Sequence, residues 1–277
     1  MTGLIDVGGG MRDIYGAGVL DFFIDNDITF DICIGVSAGS ANLASYIAGQ
    51  RGRTYRFYTE YAARKEYMSF SNMFTTGSYF NLEYIYSVLS DSNGEDPLNF
   101  EKLAQSDSEL IIVTTNAKTG KPEYFSKKDI IKDDLWAIKA SCAMPVACKP
   151  FSHGCASFFD GGVSDPIPVK KAFEMGCDKV YVIIPRPAVK KKHEFSYLMK
   201  PFLKDNPEIL RLMSERPEIY NSQLSLLNEY IKKGKVVLIA PDCDKGMNMI
   251  SKNLKRMDSY YKKGYNDAKA IFSDYNR

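Results

Sequence analysis

The chain has 277 residues, 45% of them in the hydrophobic set, with 36 Lys and Arg against 34 Asp and Glu and a formal net charge of +2. That composition can fill one sizeable core, and the near-balance of charge selects no polyanionic partner, so nucleic acid is not expected. No apolar run approaches a membrane span, and Leu4 to Val7 is too short for the core of a signal peptide and is followed by Arg12, so a cytoplasmic protein with reduced thiols is expected.

In chain order, the first strand expected is Leu4 to Val7. It runs into Gly8-Gly9-Gly10-Met11-Arg12, which opens a helical pattern of Ile14, Val19, Leu20, Phe22 and Phe23. Three glycines let bare backbone approach a ligand, and a glycine loop at a helix start supplies N–H donors for a developing oxyanion. Arg12 would brace that loop or add positive charge. The competing reading is nucleotide binding. Gly8 and Gly10 fit a dinucleotide fingerprint, and Asp31 lies where a ribose-binding acid is expected, but the third glycine would fall at Asp13 and the lysine of a P-loop is absent. A purely structural tight turn is the third possibility.

The next strand, Ile32 to Ile34, leads into Gly35-Val36-Ser37-Ala38-Gly39, a serine between two glycines followed by the small-residue helical stretch Ala38 to Ala48. This reads as a nucleophile elbow, in which the chain turns sharply from strand to helix with Ser37 at the strained apex. The helix dipole would favour negative charge near that serine. By chance alone roughly one chain in ten of this length would contain the five-residue pattern, so its context has to carry the weight. Without that context the stretch is a glycine-bounded turn between core elements.

From Arg51 to Leu89 the chain becomes aromatic and irregular, with Tyr55, Phe57, Tyr58, Tyr61, Tyr67, Phe70, Phe74, Tyr79, Phe80, Tyr84 and Tyr86. This is the candidate cap over a site, lining an acyl-chain groove; the alternative is ordinary core and surface aromatics at helical spacing. A strand follows at Leu110 to Thr115. Another, Phe158 to Phe159, ends in Asp160-Gly161-Gly162, where Asp160 is the candidate general base and the competing reading is a plain turn. The loose cluster Cys142, Cys148 and Cys155 lacks Cys-x-x-Cys spacing, which leaves core or turn positions and no metal or other cofactor.

Strands at Val180 to Ile184 and Val236 to Ala240 complete an alternation with helical segments, which argues for a layered α/β fold with a central, mostly parallel sheet. The glycine loop and the elbow then both lie at carboxyl ends of strands, where such sheets bind ligands. Between the last two strands, Lys190 to Phe202 mixes a basic cluster and His193 with apolar residues. It reads either as a peripheral membrane contact or as a solvated loop entering a helix. Lys252, Lys255, Lys262 and Lys263 fit the wet face of a C-terminal helix.

Taken jointly and in this order, the glycine triplet with Arg12, the Gly-x-Ser-x-Gly elbow and Asp-Gly-Gly resemble the patatin-like phospholipase family. The likeness extends to Ala140-Ser141-Cys142-Ala143-Met144-Pro145 and to Val163 through Val169, and so covers roughly residues 3 to 185. The resemblance implies one acyl hydrolase domain over 1–277, with an aromatic cap at 51–89 and a C-terminal strand and helices at 205–277. It implies a Ser37–Asp160 dyad, an elbow framed by Gly35 and Gly39, an oxyanion hole of Gly8, Gly9, Gly10, Met11 and Arg12, and a lipid or ester substrate. The family usually has glycine after the basic residue; here Asp13 stands there, and its pairing with Arg12 would weaken the positive field. Two alternatives stay open. One is a weakly active or inactive lipid-binding relative. The other is an esterase of the α/β-hydrolase kind, whose Ser-His-Asp triad would draw its base from His153 or His193, the two histidines of the chain.

Overall fold

The computed structural model describes residues 1–189 and 197–275. Strand β1 (Thr2–Asp6) leads through a 3-10 turn at Gly10–Asp13 to α1 (Ile14–Asp25), and β2 (Ile32–Val36) turns into α2 (Ala38–Ile47). The aromatic region holds α3 (Arg53–Arg56), a π-helical turn Phe57–Tyr61, α4 (Phe70–Thr75) and a second π-helical turn Tyr84–Val88, before α5 (Phe100–Gln105). Then come β3 (Glu109–Asn116), β4 (Pro122–Ser126), α6 (Trp136–Ser141), β5 (Phe151–His153), β6 (Ala156–Asp160), α7 (Val169–Glu174) and β7 (Lys179–Ile183). The chain ends with α8 (Pro207–Lys232), β8 (Val236–Ile239) and α9 (Leu254–Tyr275).

Strands β8, β7, β1, β2 and β3 pair in parallel in that order. Their side chains alternate between two cores with the period of a pleated strand. Leu4, Cys33, Leu110 and Ile112 join the core under α1, α2 and the aromatic region. Ile5, Ile34, Ile111, Val113, Val180 and Val182 join Tyr220, Leu224 and Leu227 of α8 on the opposite face. Helix α9 crosses α1 so closely that a Cβ on Gly18 would meet the carbonyl of Tyr261, and one on Gly264 the carbonyl of Tyr15.

All six expected strands form, with ends that coincide or shift by at most two residues. Two short strands carried no clear sequence signal. β4 is half-buried throughout and begins with proline, and β5 is three residues long. One of these pairings matters for the site. β4 and β6 both pair with Thr114, so they lie on opposite sides of β3, and β2 and β4 both pair with Ile111 to Val113. β2 and β6 therefore share one side of β3, end to end, with Val36 opposite Val113 and Asp160 opposite Thr114. The antiparallel β6 points its last residue at the place where β2 stops.

Candidate active site

Ser37 stands at that junction with φ 56° and ψ −132°, a left-handed conformation that disfavours any residue with a Cβ. Its neighbours hold it there. The Ser37 amide donates to Ser141 Oγ at 2.9 Å, Ser141 Oγ donates to the Val113 carbonyl at 2.7 Å, and Ser40 Oγ donates to the Ser37 carbonyl at 2.6 Å. Ser141 lies in the stretch that carries the resemblance, and its part in the fold is to brace this turn. The flanking glycines are required by contact: a Cβ at Gly35 would strike Ser40 Cα, and one at Gly39 the carbonyl of Asp6. The turn from β2 into α2 is therefore tight and strained at Ser37.

Asp160 is buried across the gap. Its Oδ1 accepts the Gly162 amide at 2.8 Å and its carbonyl accepts Thr115 Oγ1 at 2.8 Å, which fixes the carboxylate toward Ser37. Burial pushes its pKa up, opposed by the Ser37 hydroxyl, the positive charge of Arg216 and the Gly162 amide. A carboxylate raised by desolvation and lining the same cavity as a serine hydroxyl is suited to proton transfer.

The glycine loop packs against the elbow, because a Cβ at Gly8 would strike the Val36 carbonyl. Two of its expected oxyanion donors are spent within the fold: the Gly8 amide donates to Asp6 Oδ1 at 3.1 Å and the Met11 amide to the Met249 carbonyl at 3.1 Å. The amides of Gly9 and Gly10 have no partner among the described residues. Arg12 lines the same cleft, its Nε buried without a partner. The Met249 segment, which seats the loop, had no sequence signal.

Asp13 does not pair with Arg12, contrary to expectation. Its Oδ2 accepts Asn42 Nδ2 at 2.8 Å, Asn42 Nδ2 also reaches Asp6 Oδ2 at 3.3 Å, and Tyr58 caps Asn42 Oδ1 at 3.1 Å. Both carboxyls are fully buried, and burial with the adjacent Asp6 charge pushes the Asp13 pKa far up, which favours a proton shared within the pair. An Asp13 pushed toward its protonated form, and hydrogen-bonded to Asn42, puts less negative charge beside Arg12. An acid with a raised folded pKa contributes most stability below its unfolded pKa of about 3.9 and loses that contribution as pH rises. Asp13→Asn keeps the contacts without the titration, so its Tm relative to wild type is expected to climb from pH 5 to pH 8; a pH-independent difference in thermal melts would refute the shared proton.

Two cavities meet at Ser37. One, of about 70 Å³, is mostly apolar and runs under the aromatic region, where Phe57, Tyr58, Tyr67, Phe80 and Tyr86 line it. The other, of about 90 Å³, holds Gly8, Gly9, Arg12 and Asp160, with Arg186 and Arg216. The aromatic region is thus only partly a groove wall. Phe70 and Phe74 are 77% and 91% exposed and do not line the cavity. Phe80→Ala is expected to shift acyl-chain preference toward longer chains by roughly tenfold in relative kcat/KM, whereas Phe74→Ala leaves it unchanged; a chain-length series on both variants checks this.

His153 lines neither cavity; its ring lies flat on Trp136 at 3.8 Å. His193 and the basic stretch Lys190 to Ser196 lie outside the described residues. No cluster of metal-ligating side chains occurs among the described residues, and no helix there is long and apolar enough to cross a membrane.

A layered α/β fold with a strained serine turn at the carboxyl edge of its parallel sheet defines a broad class of α/β proteins whose site lies in a cleft at the sheet edge. Within that class the chain belongs to the patatin-like phospholipase family, whose family model matches residues 7–173. A second model, a domain of unknown function (DUF6363), matches residues 206–277. The chain is 29% identical over 185 residues to the uncharacterized protein YjjU of Escherichia coli (strain K12), covering 65% of this chain and 50% of that protein. It is 28% identical over 198 residues to lysophospholipase nte1 of Aspergillus terreus (strain NIH 2624 / FGSC A1156), covering 66% of this chain but 12% of that one. The chain thus spans half or less of the curated relatives it matches. A crystal structure of VipD from Legionella pneumophila superposes on 99% of this chain and 67% of its own, with TM-score 0.47 and 11% identity, a level that carries no functional weight.

Proposed function

We propose that the protein is a serine-dependent hydrolase of lipid carboxylic esters, working through Ser37 and Asp160 with an acyl-enzyme intermediate. The observation that carries this reading is the strained Ser37 at the meeting point of an apolar cavity and a polar one that contains Asp160. Asp160 takes the Ser37 proton as Oγ bonds to the ester carbonyl carbon, and the oxyanion is held by the free amides of Gly9 and Gly10 beside Arg12. Collapse breaks the ester C–O bond, and the departing alcohol takes the proton from Asp160. Water then gives its proton to Asp160 and attacks the acyl carbon; the acid leaves and Ser37 regains its proton.

The family supports a lipid ester as substrate, and the apolar cavity supports an acyl chain on one side of the serine. Against the weakly active alternative stands the Asp13 carboxyl, which is hydrogen-bonded to Asn42 and not paired with Arg12; its other ground, a closed cap, is tested by the turnover assays. A fluorophosphonate probe tests the reading directly: one adduct on Ser37 by peptide mass spectrometry, slowed in Asp160→Asn, is the expected result. Labelling elsewhere, or none on folded protein, would overturn it.

A further inference from the structure

Three guanidinium groups from distant parts of the chain converge on the cavity beside Asp160: Arg12 from the glycine loop, Arg186 from just beyond β7, and Arg216 from α8. Arg51, Arg53, Arg56, Arg64 and Arg211 each hold a carboxylate. Arg12, Arg186 and Arg216 hold none among the described residues, and the Nε atoms of Arg12 and Arg216 are buried with no hydrogen-bond partner. Burial and mutual repulsion both work against their charges, pulling the pKa of Arg12 and of Arg216 down. Among the described residues Asp160 is the one acid lining this cavity, and even with the attraction of Asp244 on Arg12 it does not neutralise three cations. Arg186 is held in place by stacking over the Tyr220 ring at 4.5 Å. Half-buried charges of like sign with no carboxylate partner among the described residues cost stability, and a bound anion with several acceptor oxygens offsets that cost.

The position of the cluster relative to the chemistry gives it meaning. Ser37 faces both cavities, but Asp160 faces only the one with the arginines. The group that returns a proton to the leaving alcohol must stand on the alcohol's side, so the acyl chain occupies the apolar cavity and the alcohol half of the ester occupies the cationic one. We infer that Arg186 and Arg216, together with Arg12, form a subsite for a phosphate group carried by the alcohol half of the substrate, so that these side chains set the discrimination between a phosphate-bearing and a neutral ester. This rests on the hydrolase reading above for the orientation of the ester, while the anion subsite itself rests only on the unpaired arginines. Guanidinium forks match phosphate oxygens in pairs, which a lysine ammonium cannot do.

Arg186 is the residue to vary, because Arg216 also acts on the Asp160 charge. Inorganic phosphate is titrated calorimetrically, at constant ionic strength, into Ser37→Ala and into Ser37→Ala with Arg186→Gln. In parallel, wild type, Arg186→Gln and Arg186→Lys hydrolyse phosphatidylglycerol and diacylglycerol of the same acyl chains in neutral mixed micelles, and melting curves confirm folding. Phosphate binding weakened about tenfold or more by Arg186→Gln, with a matching fall in the phosphatidylglycerol-to-diacylglycerol ratio of kcat/KM and partial rescue by lysine, is the expected result. Phosphate binding through Arg186 without any preference between the two lipids would overturn the head-group assignment in favour of a free anion. Absence of both effects overturns the subsite while leaving the hydrolase reading untouched. Turnover of neither lipid, with Arg186-dependent phosphate binding intact, defeats the hydrolase reading and leaves the anion subsite standing.

Discussion

Ser37→Ala is expected to lower kcat for ester hydrolysis by about 10⁴- to 10⁶-fold, the range in which loss of a serine nucleophile leaves only binding and oxyanion stabilisation at work. The assay is release of p-nitrophenol from a short-chain ester and of dye from a fluorogenic phospholipid, each in the presence of chelator. Residual activity within tenfold of wild type would mean that Ser37 is not the nucleophile. The same residue carries a stability prediction of opposite sign. At φ 56° and ψ −132° a Cβ is strained, and glycine adopts such angles freely, so Ser37→Gly should unfold at higher denaturant by about 1 kcal/mol while being just as inactive. A protein that retains such strain at an otherwise replaceable turn is trading stability for the exposure of one hydroxyl. If Ser37→Gly is less stable than wild type, the turn is held by the hydroxyl's own contacts and the trade does not exist.

Asp160→Asn should cost about 10³- to 10⁴-fold in kcat, since the isosteric amide keeps the shape of the site and removes the proton acceptor. The pH profile is the sharper readout. Burial raises the Asp160 pKa, so the acidic limb of kcat/KM should lie above the usual carboxylate value of about 3.9, with activity falling as pH drops and Asp160 becomes protonated. The Arg216 cation favours the ionised carboxylate. Removing it in Arg216→Gln should therefore move that limb to higher pH. Retained activity in Asp160→Asn together with loss in His193→Ala would replace the dyad by a histidine triad.

The local elements were legible because each is specified by short-range rules. An apolar run ending in glycines marks β1 and β2, and small residues at helical spacing mark α2. The chemistry-bearing types at Ser37 and Asp160 could be picked out for the same reason: glycines beside a polar residue at a strand end are visible in one dimension. What was illegible depends on partners far along the chain. Which amides of the glycine loop stay free is decided by Asp6 and by Met249, and nothing near Gly8 predicts the second of these. Asp13 looks like a partner for Arg12 in sequence, yet the turn directs it inward to Asn42, 29 residues away.

By itself, the sequence determined the layered α/β class, the strained serine turn and the identity of the residues around it, because strand period, helix period and glycine requirements act within a few residues. Only the tertiary structure decided how they meet. Sheet pairing places β6 end to end with β2 along β3, and so sets Asp160 against Ser37 although 123 positions separate 37 from 160. Helix α8 brings Arg216, and the end of β7 brings Arg186, to one side of the serine while the aromatic segment closes the other. Charge and apolarity are local properties of side chains, but the cationic and apolar sides of a site are properties of packing, and packing is what the order of residues leaves unstated.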